Sequence, residues 1–161
     1  MSKKNVKTNA MRILDLEKIN HNELSYPVTE DHVDGITVAK SLGKDLKTVY
    51  KTLVTQARSG VYYVFVIPVA ENLSLKKAAR ACGEKNLEMI HVRDINKVTG
   101  YIRGGCSPIG MKKTYPTYID QSAKDIETIT VSAGKVGYQV ELSPDDLINL
   151  IKGQYADLIA D

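Results

Sequence analysis

The chain has 161 residues, of which 43% are hydrophobic and 25% charged, and its formal net charge is +3 at pH 7. This length and composition predict one globular domain of ordinary size, and no apolar run approaches the roughly 18 residues of a membrane span. The small positive charge is compatible with a polyanionic partner such as RNA, but it is far from the charge of an obligate DNA binder.

The first part of the chain is predicted to contain two short helices. Thr8 can cap a helix whose apolar side includes Ile13 and Leu14. An extended segment over residues 24–28 follows. A second helix is expected to begin at Thr37, with Gly43 closing it as a left-handed residue.

A strand pair comes next, over residues 49–57 and 61–68, joined by a tight turn. The second strand is apolar on both faces, so it should lie in the middle of a sheet. Ser74 is expected to start a short helix that ends at Gly83. Residues 87–92 are a further candidate strand.

The last part of the chain is predicted to be mostly extended before a final helix. Ser143 and Pro144 form a strong helix start that leads into residues 147–159. The three extended segments expected before it are 115–119, 128–133 and 138–142. The fold class predicted is α/β (α+β): a single domain over residues 1–161, with a mixed, partly closed, barrel-like sheet flanked by helices.

The sequence gives little indication of a metal site, of disulfide bonds or of secretion. Cys82 and Cys106 do not suggest a disulfide framework, and no apolar segment follows the basic start, so the cytoplasm is expected. His21, His32 and His91 are scattered, and neither cysteine lies at zinc-ligand spacing to them. No metal and no cofactor are therefore expected.

Lys51 is an unusual residue in the first strand. Side chains alternate along a strand, so Lys51 shares a face with Val49 and Leu53. If that face is covered, desolvation lowers the pKa of the ammonium group or requires an anionic partner. Alternatively, Lys51 lies at the strand end and extends to water. The pattern alone leaves both interpretations open.

The segment GGCSPIGMKK, from Gly104 to Lys113, is the second candidate for chemistry. Adjacent glycines let a backbone approach a ligand closely, and such a loop can direct amide groups at a small polar substrate. An ordinary rigid turn explains the same residues. Cys106 or Ser107 as a nucleophile would need a nearby base, and no histidine is placed by sequence to act as one.

Four blocks of the sequence, in order, resemble the YbaK/EbsC family of aminoacyl-tRNA deacylases, which is related to the editing insertion domain of bacterial prolyl-tRNA synthetase. The blocks are VYKTLV, TGYIRGGCSPIGMKK, PTYID and ITVSAGKVGYQVEL. The resemblance implies a trans-editing hydrolase that deacylates mischarged Cys-tRNA(Pro) and also Cys-tRNA(Cys). It implies two partners, the aminoacylated acceptor end of tRNA and prolyl-tRNA synthetase, with no membrane and no DNA.

The resemblance also implies site residues. The essential lysine of the family falls on Lys51, which would be catalytic. The position of Cys106 is often aliphatic in the family, so Cys106 is expected to be a packing residue. One departure is Gln139, where the family often has an aspartate that can carry charge. The substrate-binding residues implied are Tyr26, Thr52, Gly104, Gly105, Ser107, Pro108, Gly110, Ser132 and Gln139.

The family's chemistry, as the resemblance implies it, uses no nucleophile from the enzyme. The thiol of the substrate cysteine attacks its own carbonyl and leaves as a cyclic thioester. Two alternatives remain open at this point. One is a non-catalytic, EbsC-like regulatory or binding module, and the other is an Ala-tRNA(Pro) deacylase of the same fold.

Overall fold

The computed structural model describes residues 6–28 and 34–161. Its α-helices are α1 (Asn9–Leu16), α2 (Gly35–Leu42), α3 (Leu75–Cys82), α4 (Ile95–Thr99) and α5 (Pro144–Ile151). Its strands are β1 (His21–Ser25), β2 (Tyr50–Ala57), β3 (Tyr62–Pro68), β4 (Leu87–Met89), β5 (Thr117–Asp120), β6 (Ile129–Ser132), β7 (Tyr138–Leu142) and β8 (Gln154–Ala156). Short 3₁₀ turns lie at Leu46–Thr48, Val92–Asp94 and Gln121–Asp125.

The strands form two sheets. The larger one has the order β4-β2-β3-β5-β8, in which β5 runs parallel to both β3 and β8 and the other pairs are antiparallel. The smaller sheet is antiparallel with the order β1-β7-β6. An isolated bridge between Val49 and Thr130 connects the two. The mixed α/β class is confirmed, and the described strands remain two sheets that do not close into one barrel.

The central position of β3 is confirmed by its burial. Val64, Phe65, Val66 and Ile67 are all 0% exposed, which requires cover on both faces of the strand. One face packs with α3 in a cluster that includes Ala78. The other face contributes to the main core, which the two sheets form with α1 and α5 from residues such as Met11, Leu14, Tyr50, Val66, Ile119, Ile129, Val140, Leu142 and Leu147.

The predicted helix starts are largely confirmed by side-chain caps. Thr8, Ser74 and Ser143 each accept a hydrogen bond from the backbone N–H three residues later, over 3.1 to 3.3 Å. The second helix begins earlier than predicted, because Asp34, and not Thr37, is its N-cap. None of the helices in the described part of the chain is long and apolar enough to cross a membrane.

The C-terminal prediction is wrong in one respect. The helix expected to run through residues 147–159 ends at Ile151, because Lys152 adopts a left-handed conformation with φ of 55°. The chain then forms β8, which extends the larger sheet beside β5. Leu158, fully buried, accepts a backbone hydrogen bond from Ser74 N–H at 2.8 Å and so attaches the tail to the start of α3.

Two other boundaries differ from the expectation. The first extended segment begins at His21 instead of residue 24, since β1 pairs with β7 along residues 21–25. The strand expected over residues 87–92 is only Leu87–Met89, after which the chain turns into a 3₁₀ turn and α4.

Candidate functional site

A cavity of about 180 Å³ lies along the first half of β2. The neighbouring strand β4 pairs with β2 only from Thr55 to Ala57, and the bridge to β6 lies at Val49. Between these points the edge of β2 has no strand partner in the described parts of the chain, and the cavity opens there. Six residues implied by the resemblance line it together: Tyr26, Lys51, Thr52, Gly104, Ser132 and Gln139.

Lys51 brings a partly desolvated ammonium group to this cavity. It lies opposite Ile67 of β3 and is half-buried. Burial lowers the pKa of Lys51, and the negative charge of Glu71 partly opposes that effect. No ion pair between described residues includes Lys51. The ammonium group is therefore available to a carbonyl oxygen or an anion that enters the cavity.

Two further side chains in the cavity have unused hydrogen-bonding capacity. The hydroxyl oxygen of Thr52 is buried without a hydrogen-bond partner among the described residues. Gln139 is only 6% exposed, and its amide makes no side-chain hydrogen bond to the described residues. Leaving the buried Thr52 hydroxyl unpaired costs about 1–3 kcal/mol, so a ligand group that reaches it recovers that free energy.

Ser132 lies directly opposite Gln139 in the β6–β7 register, so both side chains face the same side of the smaller sheet. The Ser132 hydroxyl accepts a hydrogen bond from the N–H of Gly134 at 3.1 Å. This bond orients the oxygen and leaves the hydroxyl hydrogen free to donate into the cavity.

The backbone of Thr52 also faces the open edge. The carbonyl of Val49 accepts from Val69 N–H on the β3 side, whereas the carbonyl of Val54 accepts from Ile90 N–H on the opposite side. Backbone groups alternate in direction along a strand, so those of Thr52 point the same way as those of Val54. The Thr52 N–H can therefore donate to an oxygen bound beside Lys51.

The first half of the glycine loop contributes to the cavity wall. Gly104 lines it with a φ of +84°, a conformation that residues with a Cβ rarely adopt. Cys106 also lines it, and it packs against the apolar cluster of Val54, Val64 and Val98. Burial raises the pKa of the Cys106 thiol to about 11. The thiol is therefore neutral near pH 7 and a poor nucleophile.

The second half of the loop points away from the cavity. Ser107 is fully buried, and its hydroxyl accepts a hydrogen bond from the N–H of Ile109 at 3.2 Å. Pro108 and Gly110 line a different cavity, of about 270 Å³, beside Ile13. The structure does not bring these three predicted residues to Lys51.

Gly105 is the fourth predicted residue outside the cavity. Its N–H donates to the carbonyl of Ile102 at 3.0 Å within the turn. A Cβ added to it would lie 3.1 Å from the backbone nitrogen of Val136, so the loop packs closely on the β6–β7 turn there. Its position supports the loop and makes no part of the cavity wall.

One wall of the cavity, provided by α2 and by Val69 after β3, was not predicted from the sequence. Gly35, Val38 and Val69 all line the cavity. A Cβ on Gly35 would lie 2.5 Å from the Cγ1 atom of Val69, so only glycine allows this approach of α2. A glycine at the first position of a helix is the one sequence signal that could have indicated it.

A cluster of metal-type ligands lies elsewhere in the described residues. Ligand atoms of Asp15, His21 and Glu23 lie within 4.8 Å of one another, although their spacing does not predict it. The ammonium group of Lys7 lies 2.9 Å from Asp15 and 2.7 Å from Glu23 and forms an ion pair with each carboxylate. His32, which the sequence analysis also considered, lies outside the described residues.

Comparisons with known proteins identify the family and the fold. A relative from Enterococcus faecalis, provisionally named Cys-tRNA(Pro)/Cys-tRNA(Cys) deacylase EbsC, is 47% identical over 152 residues, which are 94% of this chain and 93% of the relative. A crystal structure described as a provisional trans-editing enzyme for prolyl tRNA synthetase has the same fold, with a TM-score of 0.83 at 23% identity, covering 98% of this chain and 100% of that one. A hypothetical protein also has this fold, with a TM-score of 0.83 at 19% identity over 92% of this chain and 97% of its own. The sequence profile of the aminoacyl-tRNA editing domain matches residues 30–150, and this chain belongs to that family.

Proposed function

We propose that this protein is an aminoacyl-tRNA deacylase that hydrolyses mischarged Cys-tRNA(Pro) and also accepts Cys-tRNA(Cys). Membership of the editing-domain family and the name of the 47% identical relative support this activity. The observation that carries it is the cavity at the open edge of β2. There Lys51, Thr52 and Gln139 present polar groups without partners among the described residues.

The nucleophile in this proposal is the thiol of the substrate cysteine. Cys106 is held neutral by burial, Ser107 is outside the cavity, and none of the histidines that the structure describes lines the cavity beside Ser132. The substrate sulfur attacks its own carbonyl carbon and forms a C–S bond. The C–O bond to the ribose then breaks, the ribose oxygen takes up a proton, and water later hydrolyses the cyclic thioester.

Positioning is the main contribution that we assign to the protein. An intramolecular thiol held in a near-attack geometry can reach an effective molarity on the order of 10⁵ M, which lowers the barrier by several kcal/mol. We propose that the Thr52 N–H and the Lys51 ammonium group stabilise the oxyanion that develops on the carbonyl oxygen. Tyr26, Ser132 and Gln139 would hold the aminoacyl group and the terminal ribose.

The remaining partners follow from the size of the site. A cavity of about 180 Å³ has the size for the aminoacyl end of a tRNA, and we assign it no contact with the tRNA body. We propose that prolyl-tRNA synthetase provides selection of that body, and that the chain acts in the cytoplasm as a single editing domain. The purified protein should then deacylate Cys-tRNA(Cys) as well as Cys-tRNA(Pro).

The direct test is deacylation of the same tRNA(Pro) charged with cysteine or with alanine. Faster release of cysteine supports the proposal. Preferential release of alanine would identify an alanine-editing enzyme of the same fold, and release of neither would favour a binding module. The variant Lys51→Ala serves as the control for release that is not due to this cavity.

A further inference from the structure

The positive charge of the chain is concentrated in two segments. Residues 95–119 and 128–140 contain five of the 22 Lys and Arg residues and none of the 19 Asp and Glu residues. The rest of the chain therefore has 17 basic against 19 acidic residues. The small overall charge hides a local excess of cations.

These two segments pack on each other beside the Lys51 cavity. A Cβ on Gly105 would lie 3.4 Å from the Cα of Lys135, and a Cβ on Gly134 would lie 2.8 Å from the ring of Tyr101. Gly104, next to these contacts, lines the cavity itself. Arg103 directly precedes Gly104 in the chain, and the backbone of Lys135 lies against Gly105, so these two exposed residues adjoin the cavity wall and are called its rim.

The rim cations differ from several other basic residues of the chain. Lys7, Lys44 and Lys77 each lie within 3.4 Å of at least one carboxylate oxygen. Arg103 and Lys135 have no such ion pair with any residue that the structure describes. Their charge is available to an anionic partner.

We propose that Arg103 and Lys135 bind backbone phosphates of the single-stranded 3′ end of the aminoacylated RNA, an inference that rests on the proposed function. The cavity has the size for the terminal aminoacyl group, and the rim adjoins its wall, so we place the nucleotides that precede this group across the rim. Each of those nucleotides brings one phosphate. A guanidinium group can bind a phosphate through two hydrogen bonds, and an ammonium group binds it as a point charge.

A neighbouring apolar residue fits the same ligand. Ile102, immediately before Arg103, is 59% exposed, which is unusual for an isoleucine. Bases of a single strand are unstacked and offer apolar faces beside their charged backbone. The exposed Ile102 can contact the face of a base, and the neighbouring Arg103 can bind the phosphate.

The test measures binding of a fluorescein-labelled, single-stranded RNA that ends in CCA, by anisotropy, from roughly 50 to 200 mM salt. The variant Arg103→Ala/Lys135→Ala is compared with Lys76→Ala/Arg80→Ala. The second variant removes the same charge from exposed positions of α3, a helix that contributes nothing to the cavity wall. Thermal melting confirms that both variants are folded.

The rim variant should bind the RNA more weakly, and the slope of log affinity against log salt should decrease by about 0.7 for each lost phosphate contact. The α3 variant should bind like the wild type. Equal affinity and slope for the wild type and the rim variant, equal loss in both variants, or no binding by the wild type would each overturn the inference.

The proposed function and the proposed RNA contacts can fail separately. In one outcome the wild type releases no amino acid from charged tRNA while the rim variant, unlike the α3 variant, loses RNA binding. In that case the deacylase proposal fails, and the proposal that Arg103 and Lys135 bind RNA is supported. If the wild type deacylates Cys-tRNA(Pro), the rim variant should show a KM that rises by more than kcat falls. A normal KM in that variant would contradict the proposed RNA contacts of Arg103 and Lys135, even though the deacylase proposal holds.

Discussion

The two halves of the glycine loop differ in what their polar groups contact. In the first half, Gly104 and Cys106 border the Lys51 cavity, whereas Ser107 to Gly110 turns into the protein. There the Ser107 hydroxyl is paired with Ile109 N–H, and the Tyr101 hydroxyl donates to the Ile109 carbonyl. The first half of the loop forms part of the cavity wall, and the second half holds the loop in place through internal hydrogen bonds.

The same contrast extends to the wider site. Thr52 and Gln139 lie at the cavity with side-chain groups that have no partner among the described residues. Buried polar groups in native proteins are normally paired, so unpaired ones call for an explanation. The Thr130 hydroxyl is also buried without a partner among the described residues, but Thr130 does not line the cavity. An unpaired group is therefore assigned to ligand binding here only where it also lies at the cavity, as at Thr52.

The largest expected effect is that of Lys51→Ala. Removal of a cation aimed at a developing oxyanion should lower kcat/KM for Cys-tRNA(Pro) by about 10²–10³-fold. Lys51→Arg should fail as well, because a planar guanidinium group does not replace a compact ammonium in a small cavity. Lys76→Ala on α3 is the matched control. Full activity of a folded Lys51→Ala protein would remove Lys51 from the mechanism.

Gln139→Ala and Ser107→Ala should have opposite effects. Gln139→Ala removes a group that the fold does not use, so kcat/KM should fall about tenfold, equivalent to about 1.4 kcal/mol, while the melting temperature is nearly constant. Ser107→Ala leaves the buried N–H of Ile109 unpaired, which should lower the free energy of unfolding by about 1–3 kcal/mol and preserve kcat.

Steady-state kinetics give kcat and KM of both variants, and denaturant unfolding gives their free energies of unfolding. Loss of activity at full stability in Ser107→Ala would contradict the structural role assigned to the second half of the loop. A destabilised but fully active Gln139→Ala protein would contradict the ligand-binding role assigned to Gln139.

Glu71→Gln should sharpen the assignment of Lys51 through pH dependence. Burial lowers the pKa of Lys51 and the Glu71 charge raises it, so loss of that charge should lower this pKa further. If the protonated ammonium is the active form, activity is lost as pH rises through this pKa, and the loss should begin at lower pH in the variant. Glu17→Gln, on an exposed residue after α1, should leave the profile as in the wild type. Identical profiles for Glu71→Gln and the wild type would contradict the assignment.

The smallest effect is expected for Cys106→Ser. Its thiol is neutral, with a pKa raised to about 11, and serves to fill space in the cavity wall. We expect the variant to retain most of its deacylase activity. Complete loss in a folded protein would indicate catalysis by an enzyme thiol and would place Cys106 with the reacting groups.

Much of the fold could be predicted from local signals. The strand pair β2 and β3, the continuous apolar run of β3 and the caps at Thr8, Ser74 and Ser143 depend on neighbouring residues, and the structure confirms them. The strand β8 could not be predicted in this way. It forms because β5 offers a parallel edge, which is a contact between distant parts of the chain.

The site shows the same limit. The period of β2 and the resemblance together indicated Lys51 and Thr52. They could not indicate that Ser107 turns inward, because that depends on close packing of the loop against the β6–β7 turn. They also gave no sign that α2 approaches Val69 closely enough to wall the cavity.

The measurement that tests the central claim most directly compares the release of serine and of cysteine from the same tRNA(Pro). A serine hydroxyl is similar in size to the cysteine thiol, so the cavity should bind both esters. The hydroxyl has a far higher pKa than the thiol's roughly 8.5 and supplies almost no anion near neutral pH. We expect normal binding of the serine ester but very slow release of serine. Comparable rates for the two esters would contradict it and would mean that water or a group of the protein is the nucleophile.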